Sequence, residues 1–426
     1  MGSGEPISGA VDGPAGAQGG GVAADGRSPR RLYLDNAATS FPKPPAVLDA
    51  MVHYFRELGA SPGRGAYAES VEAGRLMAEC RSALCRLFNG SSSDHVIFTL
   101  NCTDALNLAI RGVLDPLRPL PAGEKPHAIC TDLDHNSILR PLHGLLDRGA
   151  IELTRVPVDG TTGLVDVDDI RRAVRRNTRL IAVTHASNVS GTVQPIRDIG
   201  RVAREAAVPF LVDAAQSAGH VPIDVQADCI DLLAAPGHKF LMGPLGTGFL
   251  YLRPGLEKLL RPYREGGTGS VSEHDRQPEF LPDKYEAGSH NAPGIIGLLA
   301  GVRWVLQQGV ENLYRHDQEL VRTFLEAMLR CEGLTYYGPQ GVAHRIGVFS
   351  VRVDGYTPHE LSAVLEAEFG LLTRSGLHCA PHAHRTLGTA DGGGTTRLSF
   401  GPFLSRQDVK FAGDVLANVA MAVARK

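Results

Sequence analysis

Between residues 95 and 252 the chain alternates short apolar runs with helical segments, and that alternation leaves few folds open. "HVIFTL" (95–100) reads as a strand feeding the helix "DALNLAIRGVL" (104–114). "HAICTD" (127–132), "RLIAVTH" (179–185), "PFLVDAA" (209–215) and "DLLAAP" (231–236) are further β-branched or apolar runs separated by helical or turn segments. Runs this short, bounded by turn signals, are strands. The pattern predicts an α/β fold with a mostly parallel sheet and helices on both faces.

The flanks complete the plan. "RLYLDNAATSFPKPPAVLDAM" (31–51) predicts a short strand, a turn and a helix start, followed by a helix over about 66–88. Near Pro293 the texture changes. One long helical stretch, "GIIGLLAGVRWVLQQGVENLYRHDQELVRTFLEAML", leads to the strand "RIGVFSVRV", the helix "PHELSAVLEAEFG", the strand "TTRLSFG" and a last helix. We therefore expect a large domain over 31–292, with 31–60 packing on a smaller α+β domain over 293–426. Residues 1–30, dominated by Gly, Ala, Pro and Ser, cannot bury enough side chain to offset ordering entropy and are read as a disordered tail.

Charge and cysteine usage narrow the function classes. The formal net charge is -3 with both signs interspersed, so no footprint for nucleic acid or an anionic membrane is expected. The start lacks a basic segment followed by an apolar run, Pro6 breaks a myristoylation pattern, and no window of about 18 apolar residues occurs. Seven scattered cysteines without a C-x-x-C pair argue against a disulfide framework and a structural zinc site, and fit a reducing cytoplasm.

In parallel α/β sheets ligands sit outside the carboxyl ends of the strands, so polar residues just after apolar runs are the first candidates for a site. Asp213 ends "FLVD", with Gln216 three residues on; alone it reads equally as a helix-capping acid. Lys239 lies 26 residues later in the Gly-rich turn "APGHKFLMGPLGTG"; alone it reads as a solvated lysine. Together they are more informative, because pyridoxal phosphate needs a lysine amine for its aldehyde and an acid for its ring nitrogen. Thr103, at the first turn after "FTLNC", suits a phosphate at a helix N-terminus or an ordinary cap. His135, in "CTDLDHNS", can stack on a flat ring or serve as an interior histidine.

With these residues assembled, the chain resembles the class V aminotransferase superfamily and, within it, the cysteine desulfurases. "YLDNAATSFPKP", "THASNVSGTVQPI", "VDAAQSAGH", "GHKFLMGPLGTGFLY" and "EAGSHNAPGIIGL" carry the resemblance, which runs from about Leu32 to the C-terminus. It implies the fold type I architecture of pyridoxal-phosphate enzymes, with a mostly parallel sheet of the seven-stranded type. It further implies that Lys239 bonds the cofactor aldehyde, Asp213 pairs with the ring nitrogen, Gln216 contacts the ring hydroxyl and His135 stacks on the ring with a catalytic role. Thr103 and His238 would bind the phosphate, and Cys102 and Asn188 would join the cofactor site. Arg397, with Asn188, Arg374 and Ala38, would form the substrate site, Arg397 clamping the carboxylate; a planar guanidinium suits that task independently. Dimerisation would complete the site, Thr268 of "EGGTGS" reaching the partner subunit's phosphate.

"RSGLHCA" (374–380) resembles the "RxGHHCA" signature of the group II desulfurases, which makes Cys379 the persulfide-forming nucleophile. Leu377 stands where that signature has a histidine, and Pro236 where a phosphate-binding Ser or Thr commonly precedes "GHK". A reactive thiol needs a lowered pKa, for which His378 and Arg374 are the neighbouring candidates. A buried, inert cysteine is the alternative. His378, His382, His384 and Cys379 lack a second ligand group at zinc spacing, so no metal is expected. "DGGGTT" (391–396) lacks the lysine of a P-loop and is read as a mobile turn. The expected reaction converts L-cysteine to L-alanine and hands sulfur to a protein or small-molecule acceptor. Selenocysteine lyase, another C–S lyase or an epimerase remains the alternative within the superfamily, and a non-catalytic partner in a sulfur-transfer assembly the one outside it.

Overall fold

The computed structural model describes residues 31–63, 65–114, 124–270, 273–328 and 331–424, and the segment read as a tail lies outside them. Chain order begins with β1 (Leu32–Tyr33), α1 (Pro45–His53), α2 (Ala68–Leu87), β2 (Val96–Thr99), α3 (Cys102–Leu114), β3 (His127–Thr131) and α4 (Asn136–Asp147). Next come β4 (Glu152–Val156), α5 (Val167–Ala173), β5 (Thr178–Thr184), α6 (Ile196–Glu205), β6 (Phe210–Asp213), β7 (Leu232–Pro236) and β8 (Gly248–Leu252).

Seven of these strands form one sheet in the order β2-β8-β7-β6-β5-β3-β4. Only β8 runs against its neighbours, pairing antiparallel with both β2 and β7. The central strands β6, β7 and β8 are buried along their whole length because both faces are covered, whereas the edge strand β4 is mostly accessible and carries Glu152 and Arg155. Ile181, Val183, Phe210, Val212 and Leu233 point into one core. Their sequence neighbours Leu180, Ala182, Leu211 and Leu232 point into the other. Phe210 is fully buried, and truncating a core aromatic costs roughly 3–5 kcal/mol.

The remaining elements are α7 (Ala292–Gln308), α8 (Val310–Met328), β9 (Leu334–Tyr337), β10 (Val348–Val353), α9 (Pro358–Phe369), β11 (Leu371–Leu372), β12 (Arg374–Gly376), α10 (Pro381–Thr386), β13 (Thr395–Ser399) and α11 (Arg406–Ala424). The single long helix expected over 294–329 is two helices. Gly309 takes φ 80° and ψ 125° between them, a left-handed φ that breaks the helical repeat at little steric cost. A second sheet has the order β12-β13-β10-β9, and a two-stranded parallel pair joins β1 to β11. Among the described residues no helix is long and apolar enough to cross a membrane.

Residues 35–43 run from that pair across the carboxyl ends of the large sheet. Ala37 N–H donates to Ser399 Oγ at 2.8 Å, and the Ala37 carbonyl accepts from Gln216 Nε2 at 2.9 Å. Ser40 Oγ then donates to the Lys239 carbonyl at 2.7 Å. One short segment thereby links the second sheet to the turn that carries Lys239.

Candidate active site

The ends of β2, β3, β5, β6 and β7 open onto one cavity of about 120 Å³. Lys239, Asp213, Gln216, His135, Thr103, Cys102, His238, Asn188 and Pro236 all line it, although they come from positions spread between residues 102 and 239. Parallel strands point the same way, so residues immediately after each apolar run converge on one rim.

Lys239 stands on the turn after β7. Burial lowers its ammonium pKa to about 8, with Arg397 and Arg374 acting in the same sense and Cys102 and Asp213 opposing. Asp213 ends β6 and is buried. Burial pushes its carboxyl above the usual carboxylate range, while the Ala215 N–H, 2.9 Å from Oδ1, and Lys239 pull it back. The Cys102 thiol lies 3.4 Å from the same Oδ1, and burial pushes that thiol well up, so it stays protonated and donates.

His135 caps α4. Its Nδ1 accepts the Ser137 N–H at 3.1 Å, and burial next to Lys239 lowers its pKa to about 4. The neutral ring carries its proton on Nε2. Ser137 Oγ also lies 2.8 Å from Thr103 Oγ1, so the first turns of α3 and α4 present hydroxyls side by side. His238 has a pKa lowered to about 4, mainly by burial, and its Nδ1 is buried without a partner. Gln216 Oε1 and Thr184 Oγ1 are likewise buried without partners in this cavity.

Arg397 lies on β13 of the second sheet and is 1% exposed. Its Nη2 donates to Asp35 Oδ1 at 2.5 Å and its Nη1 to the Asn188 carbonyl at 3.2 Å, while Nε has no partner. Ala38 is half-buried on the linking segment, its N–H on the Asp35 carbonyl. Thr268 is not among the cavity residues; it lies on a loop where its hydroxyl meets Ser270 Oγ at 3.0 Å.

Cys379 is exposed, which removes the buried alternative. Arg374 Nη2 lies 4.0 Å from its Sγ. His378 does not act as a cation beside the thiol. It is 3% exposed, its Nε2 faces the Arg374 carbonyl at 3.3 Å, and burial lowers its pKa to about 2, so the ring is neutral and turned inward. Two bonds join this loop to the cavity: Asn188 Nδ2 donates to the His378 carbonyl at 2.6 Å, and the Asn136 N–H donates to the Cys379 carbonyl at 3.0 Å.

Sequence reading did not single out Asp35, Ser137, Thr184 or Asn101. Asp35 lies inside "YLDNAATSF", and Ser137 follows His135 where a helix start wants a hydroxyl, so both carried a signal. Thr184 and Asn101 are strand-end residues whose place on the rim emerges only with the sheet.

A family description, aminotransferase class-V, matches residues 32–411. A probable cysteine desulfurase of Methanothermobacter thermautotrophicus is 35% identical over 392 residues, covering 91% of this chain and 94% of that protein. A cysteine desulfurase of Yersinia pseudotuberculosis is 33% identical over 353 residues, covering 82% and 84%. The solved apo structure of a cysteine desulfurase from Thermococcus onnurineus superposes with a TM-score of 0.85 at 31% identity, covering 92% of this chain and 95% of that one. With strand-end chemistry, sheet order and these likenesses agreeing over most of its length, the chain belongs to the aminotransferase class-V family.

Proposed function

We propose that the protein is a pyridoxal-phosphate-dependent cysteine desulfurase that converts L-cysteine to L-alanine and retains the sulfur on Cys379 as a persulfide. The observation that carries this reading is the coupling of two chemistries. A buried lysine amine and carboxylate share one cavity, and Asn188 ties that cavity to an exposed cysteine loop.

The residues fit the cofactor. Gln216 Oε1, Thr184 Oγ1 and His238 Nδ1 are buried polar atoms without partners, which the ring substituents and phosphate would satisfy. Asp213 would face the ring nitrogen, His135 the ring, and Thr103 with Ser137 at the first turns of α3 and α4 the phosphate. When bound, the cofactor supplies an electron sink for the carbanion formed at Cα. Pro236 offers no hydroxyl, and the Thr103–Ser137 pair supports phosphate binding in its place.

Lys239, neutral above about pH 8, would take the Cα proton and return it to the carbon skeleton. Arg397 would hold the substrate carboxylate through its unpartnered Nε and remaining Nη hydrogens, with Asp35 fixing the guanidinium plane. Cys379, as thiolate beside Arg374, would attack the substrate Sγ. The new S–S bond forms as Cβ–Sγ breaks, and the reduction at Cβ balances the oxidation at sulfur, so no external oxidant is required.

All seven cysteines are free, which supports a reducing, cytoplasmic setting. The exposed apolar side chains Phe41, Leu48, Phe55 and Leu245 support a second copy of the chain as a partner, with Thr268 facing the other subunit. The exposure of Cys379 supports delivery to a protein or small-molecule acceptor.

Mass spectrometry of the Cys379 peptide after L-cysteine treatment tests the reading, with one added sulfur expected. Cys379→Ala should keep the cofactor absorbance and lose alanine formation; alanine and sulfide released at the wild-type rate by that variant would refute the persulfide route.

A further inference from the structure

Behind Cys379 lies a run of buried polar groups that the proposed chemistry does not use. His378 and Cys379 are both left-handed, at φ 49° and 59°, a conformation that non-glycine residues rarely adopt in succession. Such backbone persists only where its surroundings hold it from several sides. The carbonyls of both residues are taken by Asn188 and Asn136. The His378 ring supplies a further restraint.

Its Nε2–H donates to the Arg374 carbonyl at 3.3 Å, so its Nδ1 is an acceptor, 3.2 Å from His384 Nε2. His384, on α10 and fully buried, must therefore carry its proton on Nε2. Its Nδ1 then accepts from Thr389 Oγ1 at 2.7 Å. Burial lowers the pKa of His378 to about 2 and of His384 to about 4, so both rings are neutral and one tautomer pattern satisfies the whole run.

The far end is anchored in the second sheet. Arg352 of β10 donates to the Thr389 carbonyl at 2.6 Å and the Gly394 carbonyl at 3.0 Å. Gly394 (φ 92°) lies so close to the Gly376 carbonyl that an added Cβ would come within 2.1 Å of it. The "DGGGTT" turn is thus seated against the cysteine loop through Gly394, while Asp391, Gly392 and Gly393 remain exposed.

We propose that His384 is a positioning residue for sulfur transfer: through its hydrogen bond to His378, backed by Thr389 and Arg352, it holds the His378–Cys379 backbone so that the thiol stands where it meets the substrate sulfur. This rests on the reading of Cys379 as the sulfur acceptor. His384 itself touches neither the cofactor cavity nor the thiol.

The test uses the full-length, cofactor-loaded enzyme with L-cysteine and a small thiol reductant. His384→Leu lowers kcat for alanine formation by about 100-fold, the cost of a misplaced reacting group, while KM and the cofactor absorbance stay within about twofold of wild type. His384→Gln, whose amide N–H can reach the His378 ring, recovers most of the lost rate. Thr389→Val, which leaves the buried His384 Nδ1 without its donor, gives a smaller fall in kcat alone. Wild-type kcat in a folded His384→Leu, equal loss in His384→Gln, or a loss confined to KM overturns the proposal. If His384→Leu does not fold, Thr389→Val decides, an unchanged kcat overturning it. Cys379→Ala run alongside separates the two readings: its inactivity with a fully active His384→Leu refutes the positioning role alone, whereas wild-type activity in Cys379→Ala refutes the persulfide route itself.

Discussion

The cavity around Lys239 and the loop around Cys379 are neighbours built on opposite principles. The cavity residues stand on the ends of strands buried on both faces, and their environment follows from burial: a lysine with a lowered pKa, a carboxylate pushed up, a neutral histidine. The cysteine loop has no such platform. β12 is three residues long, the thiol is exposed, and the backbone is held by hydrogen bonds from Asn188, Asn136 and the His378–His384 pair. The difference teaches that the cavity can be damaged only locally, while the loop can be displaced from a distance, by residues that never touch the reacting atoms.

The largest expected effect comes from the cavity side. Lys239→Ala should abolish the visible absorbance of the bound cofactor and lower alanine formation by roughly 10⁴-fold, the upper range for losing a general base, with nucleophilic function lost as well. The fold should survive, because the lysine carbonyl, which stays in place, is what Ser40 binds. Absorbance spectra and amino-acid analysis check both; retained absorbance would break the assignment of Lys239.

Asn188→Ala probes the seam between the regions. It removes the bond to the His378 carbonyl and leaves that buried acceptor unsatisfied, at a cost of about 1–3 kcal/mol. The cavity should still take up cofactor, whereas persulfide formation on Cys379 should slow by roughly 5- to 150-fold, since each 1.4 kcal/mol is a factor of ten. Cofactor titration beside mass spectrometry of the Cys379 peptide separates the two. An equal loss in both would show that the regions are one unit.

The smallest effect is expected at Leu377, the departure from the group II signature. Its side chain is 41% exposed and its carbonyl, not its side chain, accepts the Ala380 N–H. Leu377→His should change stability by less than about 0.5 kcal/mol, as surface substitutions do, and leave kcat within about twofold. Thermal melts and steady-state rates would sharpen the contrast: a large rise in rate would mean that the loop lacks a proton carrier that the buried His378 does not supply.

The cavity was legible in the sequence because short-range rules place it. An apolar run followed by Asp213, another followed two residues on by His238 and Lys239, and a helix start at Cys102 and Thr103 each mark a strand end, and parallel strands bring such ends together. The loop was legible only as a motif. "RSGLHCA" suggested that His378 activates the thiol, yet burial turns that ring inward and keeps it neutral. The break at Gly309 inside an apparently continuous helix was missed for the same reason as Asp35: one residue's φ and one ion pair across the chain leave no periodicity to read.

By itself, then, the sequence determined the central strands, the mostly parallel course of the large sheet and the chemical types on its rim, since these depend on apolar spacing and on residues adjacent in the chain. Only the tertiary structure decided which groups are charged and what fixes the cysteine. Arg397 meets Asp35 across 362 positions, and Arg352 seats the turn that backs His384. Ionisation follows from water excluded by packing, and a left-handed loop persists only where distant segments converge to hold it.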